Sequence, residues 1–469
     1  MAIGKRGNPQ DELFVVRSEM PQSGGHPFYR ALERELRGAG FDAYVEEECG
    51  RFYHLSLGRP GLAPGVYFRC LLVGYFEGIH SERGIAWRAA DSLSLREFLG
   101  LGVRQAPPDH STISRTRRLI DVETHRAVFQ WVLQRLAQQG LLKGKTLGVD
   151  STTLEANAAL RSIVRRDTGQ TYEAYLTELA KASGIETPTR EDLARIDRKR
   201  PKKGSNDDWV HPDDPDAQIT KMKDGSTHLA HKQEHAVDME TGAVVAVTVQ
   251  DAVDGDCTSL VDTLDETFEN LDEVRKEDDS KTVSERVQEV VADKGYHSSD
   301  TLLLLEAEGI RSYISEPDRG RRRWAGKPSA RRAVYGNRRR KSGAYGQRLR
   351  RRRGELLERS FAHTLETGGM RRVQLRTRTN ITKRVLIHVA AFNLGLLMRT
   401  MFRVGTPRGL QGVKAALQRG LAAASAATLS LVDVLRHLSP RSALNSPRKI
   451  TIWAALSRSA SNCPSTTGC

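Results

Sequence analysis

VVADKGYHSSD, residues 290–300, decides how the rest of the chain is read. Two valines and an alanine run into Asp293, and Lys294, Gly295 and Tyr296 follow at once. A short apolar run closed by turn residues fits a buried strand. An acid is a poor strand residue. Asp293 therefore either caps the helix that begins near Ser298 or Ser299, or is carried by the strand to a ligand. Gly295 lets the chain turn sharply after it.

A second segment has the same design. KTLGVD at 145–150 alternates apolar and polar residues and reads as a strand ending on Asp150. Between the two lie THLAHKQEHAVD (227–238) and AVVAVTVQ (243–250), a hairpin turning at Gly242, and a helix from Cys257 to about Leu271. After Asp293, SSDTLLLLEAEGI reads as a helix stopped by Gly309, and RSYISE as a short strand. A strand–crossover–strand unit is right-handed and makes its strands parallel. As neighbours, the two strands lie about 4.8 Å apart, and Asp150 and Asp293 leave the same edge. Two carboxylates that close repel unless a cation sits between them. Oxygen-only ligands favour Mg²⁺ or Mn²⁺. A third acid follows on a helix: in GELLERSFAHTLETGG, Leu357, Phe361 and Leu365 form an apolar stripe, with Glu358 at its edge. Three such acids suit a two-metal site for attack at phosphorus.

The totals agree. Lys plus Arg number 73 against 58 Asp plus Glu, a net charge of +15 over 469 residues, which favours a polyanionic partner such as nucleic acid. Cysteines 49, 70, 257, 463 and 469 show no CxxC spacing, so neither a zinc site nor a disulfide framework is expected. MAIGKRGNPQDELF has no apolar signal core. VLIHVAAFNLGLLM (385–398) is shorter than the roughly 18 residues of a membrane span. The expectation is a soluble, cytoplasmic protein.

Residues 1–60 carry no clear pattern. Residues 61–140 are helical in pattern: PGVYFRCLLVGYFEGI, SLSLREFLGL, then PPDHSTISRTRRLI, where Asp109 or Ser111 caps a helix bearing Arg115, Arg117 and Arg118. This reads equally as a helix-turn-helix or as a bundle with a solvated basic face. A catalytic core is expected over 145–403. It holds a polar insertion or long loop at 160–215 and a basic insertion at 319–353, with 16 Lys and Arg and no acid. Like charges at that density cannot fold by themselves. Residues 382–402 form a core helix, and 404–469 a low-complexity tail.

LGVDSTTLEA, DPDAQITK, HAVDMETGAVV, VVADKGYHS and ELLERSFAHTLETGGMRR, in this order, resemble the core of bacterial insertion-sequence transposases of the DDE type. PDHSTISRTR resembles that family's N-terminal helical domain, and the likeness spans roughly 60–400. The resemblance implies an α/β, ribonuclease-H-like mixed sheet flanked by helices, after a helical DNA-binding domain. It implies that Asp150, Asp293 and Glu358 hold two Mg²⁺ (or Mn²⁺) ions. It also implies binding of terminal inverted repeats in double-stranded DNA, strand cleavage and strand transfer, and a dimer in the synaptic complex. The family's Tyr and Arg before the Glu, and the Lys after it, are replaced here by Arg351, Gly354 and Leu365. Arg353 or Arg359 would substitute. Glu355 is the rival third acid, but it lacks the Arg-x-Phe that follows Glu358. The alternatives are a nuclease of the same fold without strand transfer, and an inactive DNA-binding relic.

Other residues carry weaker signals. The basic run, with Arg321, Arg322, Arg323, Arg338, Arg339, Arg340 and Arg353, would track DNA phosphates. Trp324, Tyr335 and Tyr345 within it could stack on an exposed base. Lys294 and Tyr296 follow Asp293 closely enough to touch a phosphate, although Tyr296 equally suits packing behind the strand. His228, His231 and His235 alternate on a strand and read as ordinary polar positions rather than as a zinc site. His297 reads as an exposed turn residue.

Overall fold

The computed structural model describes residues 25–54, 61–102, 105–199, 204–222, 225–277, 282–318, 320 and 322–410. Its strands are β1 (Thr146–Glu155), β2 (Val164–Arg165), β3 (Trp209–Val210), β4 (Gln218–Lys221), β5 (Thr227–Asp238), β6 (Val244–Asp251), β7 (Glu289–Ala292) and β8 (Arg311–Ile314). The central sheet runs β6-β5-β1-β7-β8, with β4 continuing the outer edge of β5 beside β6. β6, β5 and β1 are antiparallel, whereas β1, β7 and β8 are parallel. This is the mixed α/β sheet that the sequence implied. The hairpin turns at Gly242, whose φ of +82° suits glycine.

Seven helices precede the sheet among the described residues: α1 (Pro27–Gly38), α2 (Phe41–Cys49), α3 (Pro64–Glu77), α4 (Glu82–Asp91), α5 (Leu93–Phe98), α6 (His110–Leu119) and α7 (Val122–Gln138). Residues before 61 thus contribute two helices. Phe28, Leu32, Leu36, Phe41 and Val45 bury the faces that a search for longer periodicity passes over. The remaining helices are α8 (Tyr172–Ala182), α9 (Arg190–Lys199), α10 (Asp256–Lys276), α11 (Ser299–Ala307), α12 (Pro328–Ser342), α13 (Ala344–Phe361) and α14 (Arg378–Phe402). α14 is long and apolar enough to cross a membrane by composition, but 72% of its apolar window is buried inside the protein. It is the core helix, packed between β6 and the N-terminal helices α3 and α7.

Three expectations change. First, β1 does not end at Asp150 but runs on to Glu155, because β5 pairs with it as far as Glu155↔Ala230. Second, residues 160–215 are not a long loop. They hold α8, α9 and the β2–β3 pair around a small core of Ala156, Ile163, Trp209, Ala217 and Leu229. Tyr172 and Tyr175 pack edge-on against Trp209. Third, the basic run folds as α12 and the start of α13. Acids outside the run pair with part of it: Arg338 forks onto Glu316, Arg332 meets Glu306, and Arg353 meets Asp150. Residues 411–469, most of the expected tail, lie outside the described residues.

The sheet's two outer strands are clasped alike. Asn393 of α14 bonds both the N–H and the C=O of Val244 on β6 (3.0 and 2.8 Å). Asn337 of α12 does the same to Ile314 on β8 (2.9 and 2.8 Å). Each buried amide supplies the donor and the acceptor that a further strand would have offered.

Candidate active site

Parallel pairing matches Val149 with Ala292, so Asp150 and Asp293 are the next residues on neighbouring strands. Asp293 is exposed and makes no side-chain capping bond. Ser298 caps α11 instead, accepting from the Thr301 N–H at 2.9 Å. The capping alternative for Asp293 is thereby removed.

Asp150 is 31% exposed and is held by Arg353, whose Nη1 donates to Oδ2 at 2.8 Å. The Ser151 N–H donates to its Oδ1 at 2.9 Å. Burial raises the Asp150 carboxyl above the usual range. Arg353 and the Ser151 N–H oppose that shift, and the Asp293 charge adds to it. Two adjacent oxygen-only donors, one lacking a capping bond, fit a hard dication.

α13 lies across this edge because Gly148 has no side chain. A Cβ there would stand 3.3 Å from Arg353 Cγ and from Leu357 Cδ1, and 2.7 Å from Met239 Sδ. One flank of α13 leans on the β5–β6 turn, where Arg352 donates to the carbonyls of Met239 and Glu240. The opposite flank faces Asp293 across a cavity of about 540 Å³, lined by Asp293, Lys341, Gln347, Arg350, Arg351 and Arg353. Glu358 lies 7 and 11 residues beyond Arg351 and Gln347, so helical periodicity places it on that second flank. Its side chain is exposed. Among the described residues no three His, Cys, Asp or Glu side chains stand at metal-ligand spacing. The structure therefore brings Asp150 and Asp293 together and leaves Glu358 on the adjoining helix flank. Glu355 is exposed as well and pairs with Arg359.

Gly295 is needed for a close approach: a Cβ would fall 2.0 Å from Asp256 Oδ2. Asp256 accepts from Ser151 Oγ (3.2 Å) and Lys232 Nζ (2.7 Å). Tyr296 is buried, and its hydroxyl donates to Glu234 at 2.6 Å. Ser259 and Thr263 donate to the same carboxylate. This network anchors the Asp293 turn from beneath the sheet. Sequence pattern missed it, because its acids fall on positions that look like ordinary strand and helix polarity.

Two family models match the chain. A family model described as Transposase domain (DUF772) covers residues 25–119. A second, described as Transposase DDE domain, covers residues 185–394. The chain belongs to the insertion-sequence DDE transposases. Asp293 and Glu358 lie within the second match and Asp150 ahead of it. No curated protein and no solved structure matches the chain significantly.

The structure sorts the transposase's expected DNA contacts. Arg115, Arg118, Lys294, Arg323 and Arg339 are exposed. Arg359 is exposed too, although paired with Glu355. Arg117 is not free for DNA: it is buried, paired with Glu82 and bonded to Asn380. Tyr296 is likewise removed by burial. Arg322 and Arg338 converge on Glu316, and Arg340 donates to the carbonyl and hydroxyl of Ser312, so Arg338 and Arg340 tie α12 to β8 and the residues just after it, and Arg322 is occupied by the same acid. Arg321 lies outside the described residues. His297 is buried rather than exposed, with Arg322 Nη2 at 3.3 Å from Nδ1. His231 is buried against Asp214, and His235 packs under α13.

Proposed function

We propose that this transposase binds the terminal inverted repeats of its element, hydrolyses a strand at the element's end, and joins the freed 3′-OH to target DNA. The single observation that carries this reading is the pair Asp150–Asp293, side by side on parallel strands and facing a wall of arginines. Asp150 and Asp293 would hold the divalent ions, Mg²⁺ or Mn²⁺, with Glu358 joining them by turning its exposed side chain. Such ions supply Lewis-acid stabilisation at phosphorus and acidify the attacking water or 3′-OH. Arg350, Arg351 and Lys341 orient the phosphodiester beside Asp293. Arg353 fixes the Asp150 carboxylate. Exposed Arg115, Arg118, Arg323 and Arg339 supply sequence-independent attraction to the backbone. Pairing of two ends implies at least a dimer on DNA, and the setting is the bacterial cytoplasm.

The test uses the full chain, end DNA and Mg²⁺, with nicked and joined products resolved separately. Wild type is expected to give both products. Asp150→Asn should abolish both while leaving end-binding within a few-fold. Nicks without joined product would reduce the function to a nuclease. No cleavage by wild type with either ion would leave only DNA binding.

A further inference from the structure

His235 is the point where the sheet beside Asp150 meets the helix that carries Glu358. Across β1–β5 it is the direct partner of Asp150, and its ring is wholly buried. The ring stacks on Phe361, with centroids 4.4 Å apart and planes 23° apart. Nδ1 lies 3.0 Å from Ser360 Oγ. That hydroxyl gives its own proton to the Leu357 carbonyl at 2.9 Å, so it accepts from Nδ1–H. The Gln233 amide donates to the other ring nitrogen. Each proton in this chain goes to one acceptor, an assignment that requires a neutral ring. Burial, which pushes the imidazole down to about 3, secures that form.

Ser360 and Phe361 are the second and third residues after Glu358. Immediately beyond them the regular α-helix ends in a π-turn over Ala362–Thr367, a rare geometry. Earlier in the helix, α13 sits close on β1 at Gly148, beneath Arg353 and Leu357, and Arg353 bonds Asp150. The last α-turn thus has its own clamp, and that clamp stands beside Asp150.

We infer that His235 is a positioning residue which, through Ser360 and Phe361, sets the rotation and height of Glu358 relative to Asp150. The inference rests on the reading of Glu358 as a metal-holding acid. Groups that orient metal ligands change affinity by about 10–100-fold when removed.

The experiment titrates Mn²⁺ into the full chain bound to end DNA, by calorimetry, with thermal unfolding of each variant measured alongside. His235→Leu should weaken Mn²⁺ binding about 10–100-fold. His235→Asn, which keeps a donor near the Nδ1 position, should recover part of that loss. Adding His235→Leu to Glu358→Gln should cost no further affinity, because the histidine acts through the glutamate. A His235→Leu variant that melts earlier yet binds Mn²⁺ like wild type overturns the inference. Should that variant not fold, Ser360→Ala takes its place, with the same expected loss and the same refuting result. Loss in Glu358→Gln alone overturns the inference but spares the metal site. Loss in neither overturns both.

Discussion

Gly148→Val probes how α13 is seated. A strand normally gains from replacing glycine, by roughly 0.5–1 kcal/mol for the entropy that glycine costs, and valine suits strands. Position 148 reverses that sign. A Cβ alone would already stand 3.3 Å from Arg353 Cγ and Leu357 Cδ1, and valine adds two methyl groups beyond it. Overpacking of this kind costs about 1–3 kcal/mol, so the net effect is a modest loss of stability. The functional effect is larger. The clash lifts the helix bearing both Arg353 and Glu358, and a misplacement of about 1 Å costs about 100-fold in rate. The assay is single-turnover cleavage of end DNA at saturating Mg²⁺, with urea unfolding and end-binding measured on the same preparations. Cleavage should fall about 100-fold, the urea midpoint should drop, and binding should stay within a few-fold. Cleavage within threefold of wild type at the reduced midpoint would refute the claim that this contact sets the site.

Further predictions follow from other contacts. Asn337→Leu strands two buried backbone groups of Ile314; at about 1–3 kcal/mol each, urea unfolding should show a loss of roughly 2–6 kcal/mol, and a loss under 1 kcal/mol would remove the clasp from the account. His125 is buried between the Tyr67 hydroxyl and the Asp121 carbonyl, and burial lowers it to about 3. Its folded pKa lies below its unfolded value, so stability is full above about 6.5 and falls with pH by up to about 1.4 kcal/mol per unit until about 3. His125→Gln should flatten the pH 7-to-5 change in unfolding free energy, and an unchanged slope counts against it. Arg323→Ala with Arg339→Ala should reduce the salt slope of DNA binding by up to about 0.9 per lost phosphate contact, with the melting temperature kept. Arg338→Ala should do the reverse, because its partner is Glu316.

The acid pair was legible in the sequence because each apolar run closes on an acid and a right-handed crossover makes the two strands parallel; that the strands are neighbours is seen only in the structure. Asp150 was misjudged only as an endpoint: β1 continues because β5 continues beside it, and partner length is not a local signal. The basic run looked unable to fold because its counter-charges, Glu316, Glu306 and Asp150, lie elsewhere in the chain. Arg117 and Arg118 are neighbours of the same type, yet one is buried against Glu82 and the other is exposed. Composition cannot separate them; the helix face does. The partners of His235 and Asn337 were not legible for a related reason: each bonds a residue more than 20 positions away.

Mn²⁺ titration of the DNA-bound chain, compared across Asp150→Asn, Asp293→Asn, Glu358→Gln and Glu355→Gln, tests the central claim most directly. The first three should each lose tight binding, and Glu355→Gln should bind like wild type. Binding that survives in all of the first three, or that is lost in Glu355→Gln and kept in Glu358→Gln, would contradict the site described.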